Sequence, residues 1–121
     1  MLFRSQACRR SLLEFLARAK REAKRVAAYG AAAKGNTLLN FCGVAREDIA
    51  LVADRNPHKQ GKFLPGTHIP VVSPEALMEG QPDYVLILPW NLQHEIRRQL
   101  EGIRAWGGRF VTAVPQVAVD P

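Results

Sequence analysis

Val26-Ala27-Ala28-Tyr29-Gly30-Ala31-Ala32-Ala33-Lys34-Gly35-Asn36-Thr37 is the stretch that decides the fold. Its first four residues form an apolar run closed by Gly30, the pattern of a short strand buried on both faces of a parallel sheet. Gly35 then opens a segment in which Leu38, Leu39 and Cys42 recur at helical spacing, and Gly43 is placed to end that helix. A strand, a glycine-containing turn and a helix in immediate succession make the first part of a β-α-β unit.

The pattern repeats downstream. Residues 49–53 form a second apolar run, which stops at the turn-favouring Asp54-Arg55-Asn56-Pro57. Between 58 and 70, Gly61, Pro65, Gly66 and Pro70 predict an ordered loop without regular structure. Val71-Val72 reads as a brief strand, and Ser73-Pro74-Glu75 supplies an N-cap and a first-turn proline for a short helix through Met78. Tyr84-Val85-Leu86-Ile87-Leu88 is the clearest buried strand; it stops at Pro89 and is expected at the sheet centre. Leu92, Ile96, Leu100 and Ile103 then predict a helix over 92–104, closed by Gly107-Gly108 before a last strand at 109–113.

Upstream of the first strand, Leu12, Leu13, Leu16, Ala19 and Ala23 recur at helical spacing between arginines and lysines. They predict an N-terminal amphipathic helix over about 6–24. Strands otherwise alternate with helices, which implies parallel strands joined by right-handed crossovers. The expectation is an α/β fold: residues 1–121 form a single Rossmann-like three-layer domain, with a mostly parallel sheet over about 26–114. Ligands of such sheets bind at the carboxyl ends of the strands.

Composition narrows the functional classes. A chain of 121 residues that is 47% hydrophobic and 23% charged has material for one core. Two cysteines, Cys8 and Cys42, do not make a disulfide framework, and no apolar run reaches the roughly 18 residues of a membrane helix. Met1-Leu2-Phe3-Arg4 is too short an apolar start for a signal peptide, so the expected setting is cytoplasmic. The net charge of +6 lies wholly within residues 1–25, where eight bases face two acids; the remaining 96 residues balance, nine against nine. A nucleic-acid-binding fold normally carries its basic face on the fold itself, so nucleic acid is not the expected partner.

The first turn resembles two phosphate motifs and completes neither. Against G-x-G-x-x-G, Gly30 and Gly35 match but Ala32 replaces the middle glycine; against G-x-x-x-x-G-K-[ST], Gly30, Gly35 and Thr37 match but Asn36 replaces the lysine. What remains is a turn that delivers backbone amides and a helix N-terminus toward an anion, with Lys34 adding charge. The other reading is that the two glycines only permit a tight turn. Asp54, 19 residues after Gly35, stands where a ribose-binding acid falls in dinucleotide folds, but also within a turn-forming tetrapeptide. Pro89-Trp90-Asn91 should face the same crevice, with Trp90 either stacking on a base or sugar or covering the sheet edge as a core residue. The spacing of His58, His68 and His94 suggests no metal site, and no nucleophile stands beside a base, so no catalytic residue is assigned.

Three stretches carry a further likeness: residues 26–37, Ala53-Asp54-Arg55-Asn56-Pro57-His58-Lys59-Gln60-Gly61, and Pro82-Asp83-Tyr84-Val85-Leu86-Ile87-Leu88-Pro89-Trp90-Asn91. With Leu64-Pro65-Gly66-Thr67-His68-Ile69-Pro70 and Trp106-Gly107-Gly108-Arg109-Phe110, they resemble the C-terminal domain of S-adenosylmethionine-dependent C-methyltransferases, a class that includes enzymes acting on nucleotide-linked keto sugars. The resemblance implies a non-catalytic domain that packs against a catalytic methyltransferase domain, on the same or a separate chain, and helps enclose the sugar nucleotide. It implies that S-adenosylmethionine is used by the full-length enzyme and is not bound here. The family's zinc-binding cysteines have no counterparts in this sequence.

The expected substrate-binding residues are therefore Gly30, Lys34, Gly35, Asn36, Thr37, Asp54, Arg55, Asn56, Pro89, Trp90 and Asn91. The alternative from another class is an interaction module that docks an acidic partner or nucleic acid through its basic first helix.

Overall fold

The computed structural model describes residues 5–120; Arg4 of the basic stretch lies outside them. Six strands form one sheet: β1 (Val26–Tyr29), β2 (Val52–Ala53), β3 (Val71–Val72), β4 (Tyr84–Ile87), β5 (Arg109–Thr112) and β6 (Ala118–Val119). Their spatial order is β3-β2-β1-β4-β5-β6, parallel throughout except for the antiparallel β5–β6 pair. The α/β, Rossmann-like class expected from the alternation is thus what the chain adopts. As expected, β4 lies inside the sheet, paired with β1 on one side and β5 on the other.

Side-chain alternation along β1 and β4 splits the core into two layers. Val26, Ala28, Leu86 and Leu88 pack with α1 (Gln6–Arg21) and α2 (Ala33–Cys42). Ala27, Tyr29, Val85 and Ile87 pack with α3 (Pro74–Gly80), α4 (Gln93–Gln99) and the 3-10 turn Glu101–Trp106. The β1–α2–β2 and β4–α4–β5 crossovers therefore leave on opposite faces and run in opposite directions. The order reverses between β1 and β4, and a crevice for ligands opens at such a reversal.

Several elements differ from the expected ones. The first helix ends at Arg21 instead of Lys24, because Ala23 takes φ +56° and the amides of Ala23 and Lys24 turn back to the carbonyls of Lys20 and Ala19. That is a left-handed helix cap built on alanine where glycine is usual, and Ala23 is exposed instead of lining the apolar face. Helix α2 starts at Ala33, two residues before Gly35, and Gly43 ends it as expected, at φ +73°. Of the run 49–53 only Val52–Ala53 is strand; Ile49 is buried after the 3-10 turn Arg46–Asp48 without joining the ladder.

The helix expected over 92–104 is three pieces: the 3-10 turn Trp90–Leu92, α4 and the 3-10 turn Glu101–Trp106. Leu100 breaks the run at φ −108°, and Leu92, assigned to the apolar face, is 45% exposed. Strand β6 had no sequence signal, since a two-residue exposed edge strand carries no buried alternation.

Candidate functional site at the carboxyl edge of the sheet

Gly30 leaves β1 at φ +99° and donates its amide to the Ala53 carbonyl at 2.8 Å, so the turn begins while still tied to β2. Ala32 caps α2 without any side-chain hydrogen bond, and the first turn carries no acid. The opening amides of α2, with the positive end of the helix dipole, thus face outward next to the exposed Lys34. Two residues of the turn serve the helix itself: Thr37 Oγ1 donates to the Ala33 carbonyl at 2.9 Å, and Asn36 donates its amide to Ala32. The Asn36 side-chain oxygen is buried with no hydrogen-bond partner.

Both glycines of the motif have packing reasons to be glycine. A Cβ on Gly30 would stand 2.5 Å from Pro89 Cδ, and one on Gly35 would stand 2.7 Å from Leu88 Cβ. Gly30, at φ +99°, makes the turn, whereas Gly35 lies within α2 and lets the helix close on Leu88, so neither glycine by itself argues for an anion; that reading rests on the amides and Lys34.

Asp54, directly after β2, accepts hydrogen bonds from Ala31 N–H at 2.7 Å and Asn56 N–H at 2.8 Å, one on each carboxylate oxygen. It acts as the clamp between the two loops at the edge, which is the turn-forming reading of this residue. Lys59 Nζ reinforces the clamp by donating to the Ala31 carbonyl at 3.2 Å. Asn56 and Arg55 are exposed beside it, and the Asn56 side chain accepts from the His58 amide at 2.9 Å.

After β4 the chain passes through Pro89 into the Trp90–Leu92 turn, which brings Trp90 to the first turn of α2. Lys34 Nζ lies 4.6 Å from the centroid of the Trp90 ring, within cation–π range. Trp90 is half-buried against the α1–α2 layer, and Asn91 is exposed. The structure thus brings together Gly30, Lys34, Gly35, Pro89 and Trp90 on one side of the edge, and Asp54, Arg55 and Asn56 at the end of the neighbouring strand.

On the other side of the same edge lies a cavity of about 420 Å³. Tyr29, Arg55, Gln60, Glu75 and Gln99 line it, with Pro74 and Leu100 supplying apolar wall. Burial foremost holds the Tyr29 phenol above its ordinary 10.0; Asp54 and Glu75 push it the same way and Arg55 opposes them.

Residues 3–115 match the family described as the C-methyltransferase C-terminal domain. The chain belongs to that family. It is also 42% identical over 98 residues to the C-methyltransferase NovU of Streptomyces niveus, an alignment covering 81% of this chain and 23% of that protein. The chain spans under a quarter of the length of the curated relative it matches.

Membership of this C-terminal domain family agrees with the resemblance carried by the glycine turn, the Asp54 loop and the β4 exit. Among the described residues no helix is long and apolar enough to cross a membrane, and no group of three or more His, Cys, Asp or Glu side chains gathers to hold a metal ion. Cys8 and Cys42 are free and buried between α1 and α2; burial pushes the Cys42 thiol from its ordinary 9.0 up to about 11. On α1, Arg9, Arg10, Arg18 and Arg21 are exposed, while Lys20 pairs with Asp48 at 3.0 Å.

Sequence reasoning missed most of the cavity. Of its lining only Arg55 was among the expected site residues. Gln99 is exposed at the end of α4, where no burial pattern marks it.

Proposed function

We propose that this domain holds a nucleotide-linked keto sugar for S-adenosylmethionine-dependent C-methylation carried out by a separate catalytic domain, in the cytoplasm. The observation that carries the reading is the outward-facing N-terminus of α2, placed at the β1–β4 reversal with Lys34 and Trp90 beside it. Phosphate oxygens would accept from the first-turn amides and Lys34, while Asp54 and Asn56 keep the loops in place and Asn91 and Trp90 flank the ligand. The family and the name of its relative NovU support methyl transfer to carbon as the reaction served.

S-adenosylmethionine carries no phosphate to set on the first-turn amides and Lys34, so this turn offers the methyl donor no matching anion site. No step of methyl transfer is therefore assigned to these residues, and the base that removes the proton next to the ketone belongs to the catalytic domain. Titration of the 121-residue chain with nucleotide sugars, followed by amide NMR, tests the reading. Shifts of the amides of 30–37 at millimolar ligand are expected. A folded chain whose turn amides stay still would refute it.

A further inference from the structure

The geometry points to a second subsite: we infer that the cavity bounded by Tyr29, Arg55, Gln60, Glu75 and Gln99 takes an uncharged, hydroxylated ring of the ligand whose phosphates sit at the α2 turn. The inference rests on the phosphate reading above and extends it to residues on the opposite face of β1.

Position supplies the first argument. Tyr29 and Gly30 are consecutive, but Tyr29 packs into the α3–α4 layer while the turn after Gly30 leads into α2 on the other layer. A ligand that leaves the turn and passes over the ends of β1 and β2 meets Arg55, which lines the cavity and follows the clamp residue Asp54. A volume of about 420 Å³ lies within the range of small-ligand sites and exceeds what one ring needs.

Chemistry supplies the second. Arg55 donates only, Glu75 accepts only, and the two glutamines and the phenol can do both. Gln60 already spends one amide hydrogen on the Asp54 carbonyl at 2.8 Å, which fixes its orientation and leaves its oxygen as an acceptor. Opposite charges facing the same space do not suit an anion, because a phosphate drawn by Arg55 would meet the Glu75 carboxylate. Vicinal hydroxyls suit it, since each can donate to Glu75 or a glutamine oxygen while accepting from Arg55. Pro74 and Leu100 offer apolar surface to the C–H face of such a ring.

Two rings of a nucleotide sugar have this chemistry, the ribose and the hexose. Amide and side-chain NMR of the whole chain separates them, using inorganic pyrophosphate, UDP, UDP-glucose and dTDP-glucose as probes. Pyrophosphate is expected to move only the 30–37 amides. The sugar nucleotides are expected also to move the Gln60 and Gln99 side-chain amides; UDP moving them equally assigns the ribose, and UDP leaving them still assigns the hexose. Glu75→Gln and Tyr29→Phe, which keep the packing, test the contacts. Glu75→Gln should weaken sugar-nucleotide binding at least about tenfold, the loss of one charge-assisted hydrogen bond, with pyrophosphate binding unchanged. Turn shifts without cavity shifts, or a Glu75→Gln chain that binds as well as the parent, overturn the subsite and leave the phosphate reading intact. Cavity shifts without turn shifts refute the phosphate reading and, with it, the placement of this ring beside phosphates at the α2 turn; silence at both refutes both.

Discussion

Pro89 closes on Gly30: the space a Cβ at residue 30 would need ends 2.5 Å away at Pro89 Cδ, and residue 30 sits at φ +99°. The contact locks the exit of β1 to the exit of β4 at the reversal of strand order. Gly30→Ala meets both the left-handed backbone and the proline, and is expected to lower stability by about 2–4 kcal/mol. Urea unfolding checks it. A change below about 0.5 kcal/mol, typical of an exposed surface site, would mean that the two exits are not locked.

Ala23 gives the opposite sign. It holds a left-handed cap position at φ +56° with open solvent around it. Ala23→Gly removes the Cβ penalty, which outweighs the added freedom of the unfolded chain, and should raise stability by about 0.5–1 kcal/mol. Thermal melting reads this directly; a lowered midpoint would show that the helix does not end there.

Trp90 is half-buried and carries Lys34 on its ring. Trp90→Ala should therefore lose about 1–2 kcal/mol, less than the roughly 3–5 kcal/mol of a fully enclosed tryptophan, and should weaken nucleotide-sugar binding. Full core-sized loss with unchanged binding would make Trp90 a packing residue alone.

The Cys42 thiol, raised to about 11 by burial and the neighbouring Cys8, sets an alkaline limit. Its folded pKa exceeds the unfolded value near 9.0, so its contribution is complete below pH 9 and falls away as the pH rises toward 11. Cys8 and Tyr29 shift the same way. Alkylation with iodoacetamide at pH 8 should run at least about 100-fold slower on the folded than on the unfolded chain. Equal rates would contradict the burial of both thiols.

Salt separates the phosphate reading from docking through α1. Binding to an oligonucleotide or acidic peptide through Arg9, Arg10, Arg18 and Arg21 should fall steeply between low and moderate salt, whereas a site at the α2 turn responds less. An oligonucleotide complex lost on reversing Arg18, Lys20 and Arg21 would favour docking.

The strands were legible where apolar residues ran unbroken, as in β1 and β4, because burial on both faces leaves no polar interruption. The end of α1 was not, since its cap uses alanine and the usual glycine signal is missing. Residues 92–104 misled for a related reason: Ile96, Leu100 and Ile103 are all buried, at spacings that an α-helix followed by a 3-10 turn satisfies as well as one long helix. At the site, the sequence located the glycine turn and the β4 exit, whose residues are close along the chain or end on glycine and proline. The cavity draws Tyr29, Gln60, Glu75 and Gln99 from four segments, and no linear spacing links them.

The thiol of Cys8 on α1 donates to the Ala113 carbonyl at 3.3 Å, and Ser11 Oγ accepts from the Val117 amide at 3.1 Å, contacts that bridge 105 and 106 positions. During synthesis α1 emerges before the rest of this domain, about a hundred residues ahead of Ala113 and Val117. Its apolar face, with Leu12, Phe15 and Leu16, must therefore wait for nearly the whole domain to be made before it is fully covered. A ribosome-bound chain cut short before β5 would expose that face to chaperones, and emergence of the segment that carries Ala113 and Val117 would be the event that shuts it.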